Sequence, residues 1–335
     1  MKNEAGGMEN GAAGMTDRAA GMTDRAAEVK NMAAGMENGA AGMTSQAGKL
    51  KINAARRARN KTKKLAGRII LYVLVAVIVV FTFAPYLWLI ISSISTKAEL
   101  LERKIFLLPE SPTFVNYQNL MAKDFVPAAT NSIVITISVV IISVILGILA
   151  AYAYSRFRFR GRTLLLNTSL FTQMIPPIAL IIPMYIIFKA LGWMNHRETL
   201  VIIYLSLVLP YLIWIMKSYI DSIPKELEEA ALIDGCSRLR AFFSVVIPVV
   251  STGLAAAVIF AFIITWNEFF YAFSLTKTLA AKTLPVLIFD FNSKFGADYV
   301  MSATAGVIAS LPPVLIALIF QKYIITGLAA GAVKE

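Results

Sequence analysis

Residues 222–249 read SIPKELEEAALIDGCSRLRAFFSVVIPV, a polar island between two long apolar runs. Pro224 suits the first turn of a helix, where its missing N–H would be unpaired anyway. Asp221 or Ser222 can cap that start. Leu227, Ala230 and Ala231 then share one face at spacings of three and four. Glu226, Glu228 and Glu229 crowd the opening turns, where the helix dipole favours carboxylates. Gly235 can end the helix in a left-handed conformation, with Asp234 before it helping the turn. Ser237 reads as the cap of a second helix that runs towards Pro248.

Two readings of this island stand side by side. A short helix with a small-residue knob on a cytoplasmic loop fits a groove on another protein. An ordinary amphipathic loop helix at a membrane surface has the same periodicity.

Outside the island the chain is strongly apolar. It has 335 residues, 58% of them hydrophobic, and a mean hydropathy of +0.68, which excludes an ordinary soluble domain. Spanning a bilayer takes about 20 apolar residues. Six runs are long enough, at about 69–94, 131–154, 164–191, 200–219, 249–273 and 302–325. The net charge of +12 raises the question of nucleic acid, but the basic residues cluster beside apolar runs, as the positive-inside rule expects. The partner of that charge is therefore the lipid bilayer, not nucleic acid. Residues 49–68 carry Lys49, Lys51, Arg56, Arg57, Arg59, Lys61, Lys63, Lys64 and Arg68, a juxtamembrane anchor that also touches anionic lipid and fixes the N-terminus inside. Arg156, Arg158, Arg160 and Arg162 alternate with Phe157 and Phe159 and read as a second cytoplasmic anchor. Topology then closes with both termini and loop 222–248 inside. The segments at 97–128 and 274–300 and the short loop near His196 lie outside.

Residues 1–48 form a low-complexity tail with Gly-Met on a seven-residue register (Gly7-Met8, Gly14-Met15, Gly21-Met22, Gly35-Met36, Gly42-Met43). A heptad suggests a coiled coil, but Gly recurs in it and Leu, Ile and Val are missing from its core positions. A disordered or weakly helical cytoplasmic tail is expected, with no apolar signal-peptide region. Gly42 to Lys49 is one residue too long for a phosphate-binding loop, and Leu50 stands where a Ser or Thr would hold magnesium. ATP hydrolysis is thus expected on another chain.

No catalytic or metal-binding set is visible. One Cys, Cys236, and one His, His196, exclude a disulfide framework and a Cys/His cluster. Prolines break the apolar runs at Pro176-Pro177, Pro183, Pro210 and Pro312-Pro313. Such breaks are tolerated only where neighbours satisfy the freed backbone, which suits a bundle lining a path that opens and closes. Glu268 is the one acid inside an expected span. It reads either as a pathway residue with a partner on another helix or as an interfacial carboxylate near Trp266 and Asn267. Gln173 is a weaker pathway candidate.

Glu229-Ala230-Ala231, three residues, Gly235, nine residues, then Val245-Val246-Ile247-Pro248 resembles the EAA loop of ABC-importer permeases. Val245 replaces an Ile and Ile247 a Leu. Asn131-Ser132, Ala151-Tyr152-Ala153 with Arg156 to Gly161, Thr172 to Pro176, Trp266-Asn267-Glu268-Phe269 and Gly327 to Lys334 resemble the carbohydrate-uptake branch, in particular the six-span permease of maltose- and maltodextrin-type systems. The resemblance covers about 68–335; the tail departs from it. It implies an all-α membrane protein, with six spans in a type I importer bundle over 69–335. It also implies an importer of sugars such as maltodextrins, in which this chain is not an enzyme. ATP and magnesium would sit on two cytoplasmic ATP-binding subunits. The other partners would be a second, non-identical permease and an extracytoplasmic sugar-binding protein, all at a bacterial-type plasma membrane. Glu229, Ala230, Ala231, Asp234, Gly235 and Pro248 would belong to the coupling helix and its surroundings. The C-terminal tail would insert between the ATPase subunits. The alternatives are an importer permease for amino acids, peptides or phosphonates, and a secondary carrier. The carrier reading requires an internal repeat and intramembrane charge pairs, and neither is found.

Overall fold

The computed structural model describes residues 21–22, 27–37, 43, 65, 67–102, 108–122, 124–293 and 297–332, with side chains of 293 and 322–332 left aside. Most of the heptad tail, the basic segment and the Gly42–Lys49 stretch lie outside the described residues, as do residues 333–335 of the C-terminal tail. The chain divides into two units, Met1–Phe83 and Ala84–Glu335. In the first unit, residues 27–37 form an exposed helix. The first long helix, α1, is Gly67–Ile94.

Among the described residues the second unit is built of helices and their connections, with no strand. Its elements are α2 (Lys97–Leu101), α3 (Val115–Met121), α4 (Phe125–Arg156), α5 (Arg162–Phe171), α6 (Pro177–Ala190), α7 (Arg197–Asp221) and α8 (Lys225–Ile233). They are followed by α9 (Arg238–Ala241), α10 (Ile247–Val249), α11 (Ser251–Trp266), α12 (Phe270–Leu275), α13 (Leu284–Ser293) and α14 (Tyr299–Ala332). Four helices are long and apolar enough to cross a membrane, or up to six if each of two bent pairs is one span.

The core is the seam between α4 and α7. On α7, Leu200, Tyr204, Val208, Leu212, Met216 and Ile220 are buried at intervals of four, a row that packs as a ridge. On α4, Ile135, Val139, Ile148 and Ala151 meet them. Gly147 leaves room for Leu212, and Gly253 of α11 lies directly against the Tyr219 ring. Ala257 and Ala261, both fully buried, continue the close approach of α11.

Two of the six expected spans differ from a continuous helix. The run expected at 164–191 breaks after the 3₁₀ turn Thr172–Met174, and its halves meet at 97°. The reason is local: Pro176 holds Ile175 extended (φ −74, ψ 120), and Pro177 starts a new helix. The run expected at 249–273 already begins at Arg238 and bends by 78° at Val250. Its helix stops at Trp266, short of residue 273.

At the opposite end of the unit from α8, polar side chains fix the connections. Asn131 Nδ2 donates to the carbonyls of Leu279 and Lys282 (2.8 and 2.9 Å). Ser132 Oγ accepts the Leu284 N–H. Lys282 pairs with Asp290 at 2.5 Å, both nearly out of solvent. Thr96 and Glu99 cap α2 reciprocally. The backbone N–H groups of Thr96 and Ser111 on Glu99 hold its carboxyl below the usual range. The irregular segment expected at 97–128, with short helical pieces, thus takes the form of α2 and α3.

A methyl group at residue 253 would have to displace the ring of Tyr219 at its base, whereas at residue 147 it meets only the flexible end of Leu212. Gly253→Ala is therefore expected to destabilise the detergent-purified chain by about 1–3 kcal/mol. Gly147→Ala is expected to cost less. Thermal unfolding of the two variants side by side checks the order.

Candidate functional site

The 222–248 island folds as a helix–turn–helix hung from the end of α7. α7 stops at Asp221, and the chain reverses within Ser222-Ile223-Pro224, with Ile223 buried beneath. Pro224 is the N-cap of α8 (φ −56, ψ 134) rather than a residue of its first turn, and the helix begins at Lys225, later than a cap at Asp221 or Ser222 would start it. Neither expected cap serves there. Asp221 accepts from Ser155 Oγ and Lys217 Nζ, each at 2.5 Å. Ser222 Oγ donates to the Tyr219 carbonyl. Both side chains are engaged with α4 and α7 instead, and the Leu227 N–H is taken by the Pro224 carbonyl at 3.4 Å.

The far end of α8 follows the sequence closely. Gly235 is left-handed (φ +85). Its N–H donates to the Leu232 carbonyl at 3.1 Å, and that of Cys236 to the Ala231 carbonyl at 3.0 Å. This double closure satisfies the last carbonyls of the helix. Asp234 is the exposed residue before the turn. Ser237 Oγ accepts the Arg240 N–H and caps α9. A π-helical turn, Phe242–Val246, then leads into α10, which carries Pro248. Pro248 cannot donate to the carbonyl of Ser244, and a widened turn directly before a proline is a common response.

The two faces of α8 differ sharply. Leu227, Ala230 and Ile233 stand outward at spacings of three, and Ile233 is 86% exposed. Glu226 and Glu229 are also exposed beside them. Ala231 is half-buried. On the inward face Glu228 is only 8% exposed. Arg156 Nε, at the end of α4, donates to Glu228 Oε1 at 2.5 Å, and the Tyr152 hydroxyl donates to Oε2 at 3.0 Å. Arg156 also reaches the Ile223 carbonyl and Ser155 Oγ. Phe242 packs edge-on against Tyr152 at 4.9 Å, and Arg238 stacks over Phe157 at 5.7 Å. Arg156 is therefore more than an anchor at a membrane surface. Its pairing with Glu228 was not read from the sequence. No local sequence signal marks it, because the two residues are 72 positions apart.

The two pathway candidates lie apart from this island and from each other. Gln173 sits in the break between α5 and α6 and donates to the Ser206 carbonyl of α7 at 3.1 Å. Glu268 lies beyond the end of α11, not inside a continuous span. It accepts the N–H groups of Tyr271 and Ala272 and so opens α12. The Tyr204 hydroxyl from α7 faces the same carboxylate without reaching standard hydrogen-bond geometry. Among the described residues no group of three or more His, Cys, Asp or Glu is placed to hold a metal ion.

Residues 143–329 match the family described as binding-protein-dependent transport system inner membrane component. The trehalose transport system permease protein SugB of Mycobacterium tuberculosis is 36% identical over 265 residues, covering 78% of this chain and 96% of that one. The trehalose/maltose transport system permease protein MalG of Thermococcus litoralis is 34% identical over 276 residues, covering 81% and 99%. A chain of a bacterial ABC transporter involved in the import of the acidic polysaccharide alginate superposes with a TM-score of 0.67 at 25% identity, over 76% of this chain and 95% of that one. The matched family segment contains the whole of α8 and its turn, and the relatives extend the likeness across the α4–α7 core. The chain therefore belongs to the inner-membrane components of binding-protein-dependent transport systems.

Proposed function

We propose that this chain is one of two membrane-spanning halves of an ATP-driven sugar importer, and that α8 is the surface through which an ATPase subunit moves it. The observation that carries the reading is the division of α8 into an exposed Leu227–Ala230–Ile233 ridge and a buried Glu228 tied to α4. A docking helix needs both: a small, apolar outer face that enters a cleft, and a stiff inner attachment that transmits force. Glu229, Ala230 and Ala231 line or back the outer face, while Asp234 and Gly235 end it. Pro248 lies where the following helix turns into the bundle.

In this reading six spans, counting each bent pair as one, place both termini and α8 in the cytoplasm of a bacterial-type cell. The arginine-rich turn at 156–162 supports that orientation. A non-identical second permease completes the path. Two ATP-binding subunits dock below, with ATP and magnesium held there, and an extracytoplasmic sugar-binding protein docks above. Closing of the ATPase dimer pushes α8, and the push passes through Arg156 into α4 and α7. The broken helices α5–α6 and α9–α11, with Gln173 and Glu268 at or near their breaks, are the parts best able to rearrange. The domain order is a tail over 1–48, a basic segment over 49–68 and the permease proper over 69–335.

The sugar cargo is supported by the relatives, among them transport proteins named for trehalose, maltose, diacetylchitobiose and galactooligosaccharides. Oligosaccharides of the maltodextrin kind fit that range.

Two variants separate docking from transmission. Glu229→Lys places a cation on the exposed face and is expected to lower ATP-driven uptake on the order of tenfold, with normal membrane levels of the chain. Normal uptake would mean that α8 does not dock. Arg156→Met strands a buried carboxylate and is expected to destabilise the chain by about 3–5 kcal/mol. Arg156→Met with Glu228→Leu is expected to recover stability but not coupling. Thermal unfolding alongside uptake distinguishes the two effects.

A further inference from the structure

We propose that Gln173 and Trp266 are positioning residues: each supplies a hydrogen-bond donor that a proline has removed from another helix, and so stabilises that helix across its proline. In an α-helix the N–H of residue i bonds the carbonyl of residue i−4, and a proline at i leaves that carbonyl without its donor. Pro210 of α7 leaves the Ser206 carbonyl in this state. Gln173 Nε2 donates to that same carbonyl at 3.1 Å. Pro313 of α14 leaves the Ala309 carbonyl in this state, and Trp266 Nε1 donates to that same carbonyl at 3.0 Å.

The two pairs share no residue and join different helices, yet follow one rule. Each donor lies at the end of a regular helical segment: Gln173 in the 3₁₀ turn before Pro176-Pro177, Trp266 as the last residue of α11. Trp266 is further fixed by stacking on Phe262 (centroids 5.5 Å apart, 12° between planes) and is 5% exposed. Ser310, next to Ala309, bonds the Tyr86 hydroxyl of α1, so α14 is held beside its proline pair from two helices.

In an apolar surrounding an unpaired carbonyl is costly, so the donor contact and the packing of the proline-bearing helix are kept or lost together. The two side chains therefore bias which arrangement of α7 and α14 is populated, without touching solute. Gln173 acquires a role different from lining the path. The argument rests on backbone chemistry and is independent of which solute or partner the chain serves.

The test is a pair of matched double-mutant cycles. Replacing the proline by alanine gives the carbonyl back its intrahelical donor, so the side-chain donor should become dispensable. Gln173→Leu and Trp266→Phe are each expected to lower the thermal midpoint of the detergent-purified chain. In reconstituted transporter they are expected to raise idle ATP hydrolysis about tenfold, the size of a typical coupling between states. Pro210→Ala should recover at least half of the Gln173→Leu effect and none of the Trp266→Phe effect. Pro313→Ala should do the reverse. Where a single variant fails to accumulate in the membrane, recovery of its level by the matched proline replacement is the readout. Single variants indistinguishable from wild type would mean that water satisfies these carbonyls, and would overturn the proposal. Rescue by the wrong proline, or by neither, would overturn it as well. The unfolding cycle involves no transport step, so a failure there is distinct from a failure of the importer reading.

Discussion

A guanidinium and a carboxylate 2.5 Å apart, both nearly out of solvent, join α8 to the end of α4. Burying two charges is expensive, and such a pair rarely adds much net stability over an apolar replacement. What it adds here is position. Arg156 also bonds the Ile223 carbonyl and Glu228 also accepts from Tyr152, so the pair fixes distance and rotation of α8 together. A short helix of nine residues would be marginal alone. Tied in this way, it is attached to α4, whose seam is filled by the ridge of α7.

Stiff and breakable elements alternate. The α4–α7 seam has large side chains in regular rows and a close approach at Gly147, features of a part that moves as one. Around it lie helices interrupted at Pro176-Pro177 and at Val250, with bends of 97° and 78°. Carbonyls left open by prolines within the continuous helices must also be satisfied within an apolar medium. Side chains at the ends of neighbouring helical segments meet that need at Ser206, before Pro210, and at Ala309, before Pro313.

How much of this the sequence carries depends on how far apart the interacting groups are. The end of α8 was legible in detail because it is local: a glycine at 235 and a serine at 237 dictate a turn and a cap with no reference to the rest of the chain. The prolines announced interruptions, but not their angles, which depend on what packs against each half. The start of α8 falls later than a cap at Asp221 or Ser222 would place it, because both side chains have partners on α4 and α7. Glu228 looked like one more carboxylate in a first turn, since Arg156 lies 72 residues away and only the fold brings them together. Glu268 looked like an acid within a span because the apolar run continues past it. Its two backbone partners, Tyr271 and Ala272, show instead a carboxylate that opens the next helix.

The central claim is that α8 docks on a separate ATPase subunit. It is tested most directly by mild-detergent purification of the tagged full-length chain from its own membranes, with every co-purifying protein identified, for the native chain and for Glu229→Lys. The account predicts that a second permease and an ATP-binding subunit accompany the native chain, and that the variant keeps the permease and loses the ATP-binding subunit. A native chain recovered alone, or an ATP-binding subunit retained equally by both, would contradict it.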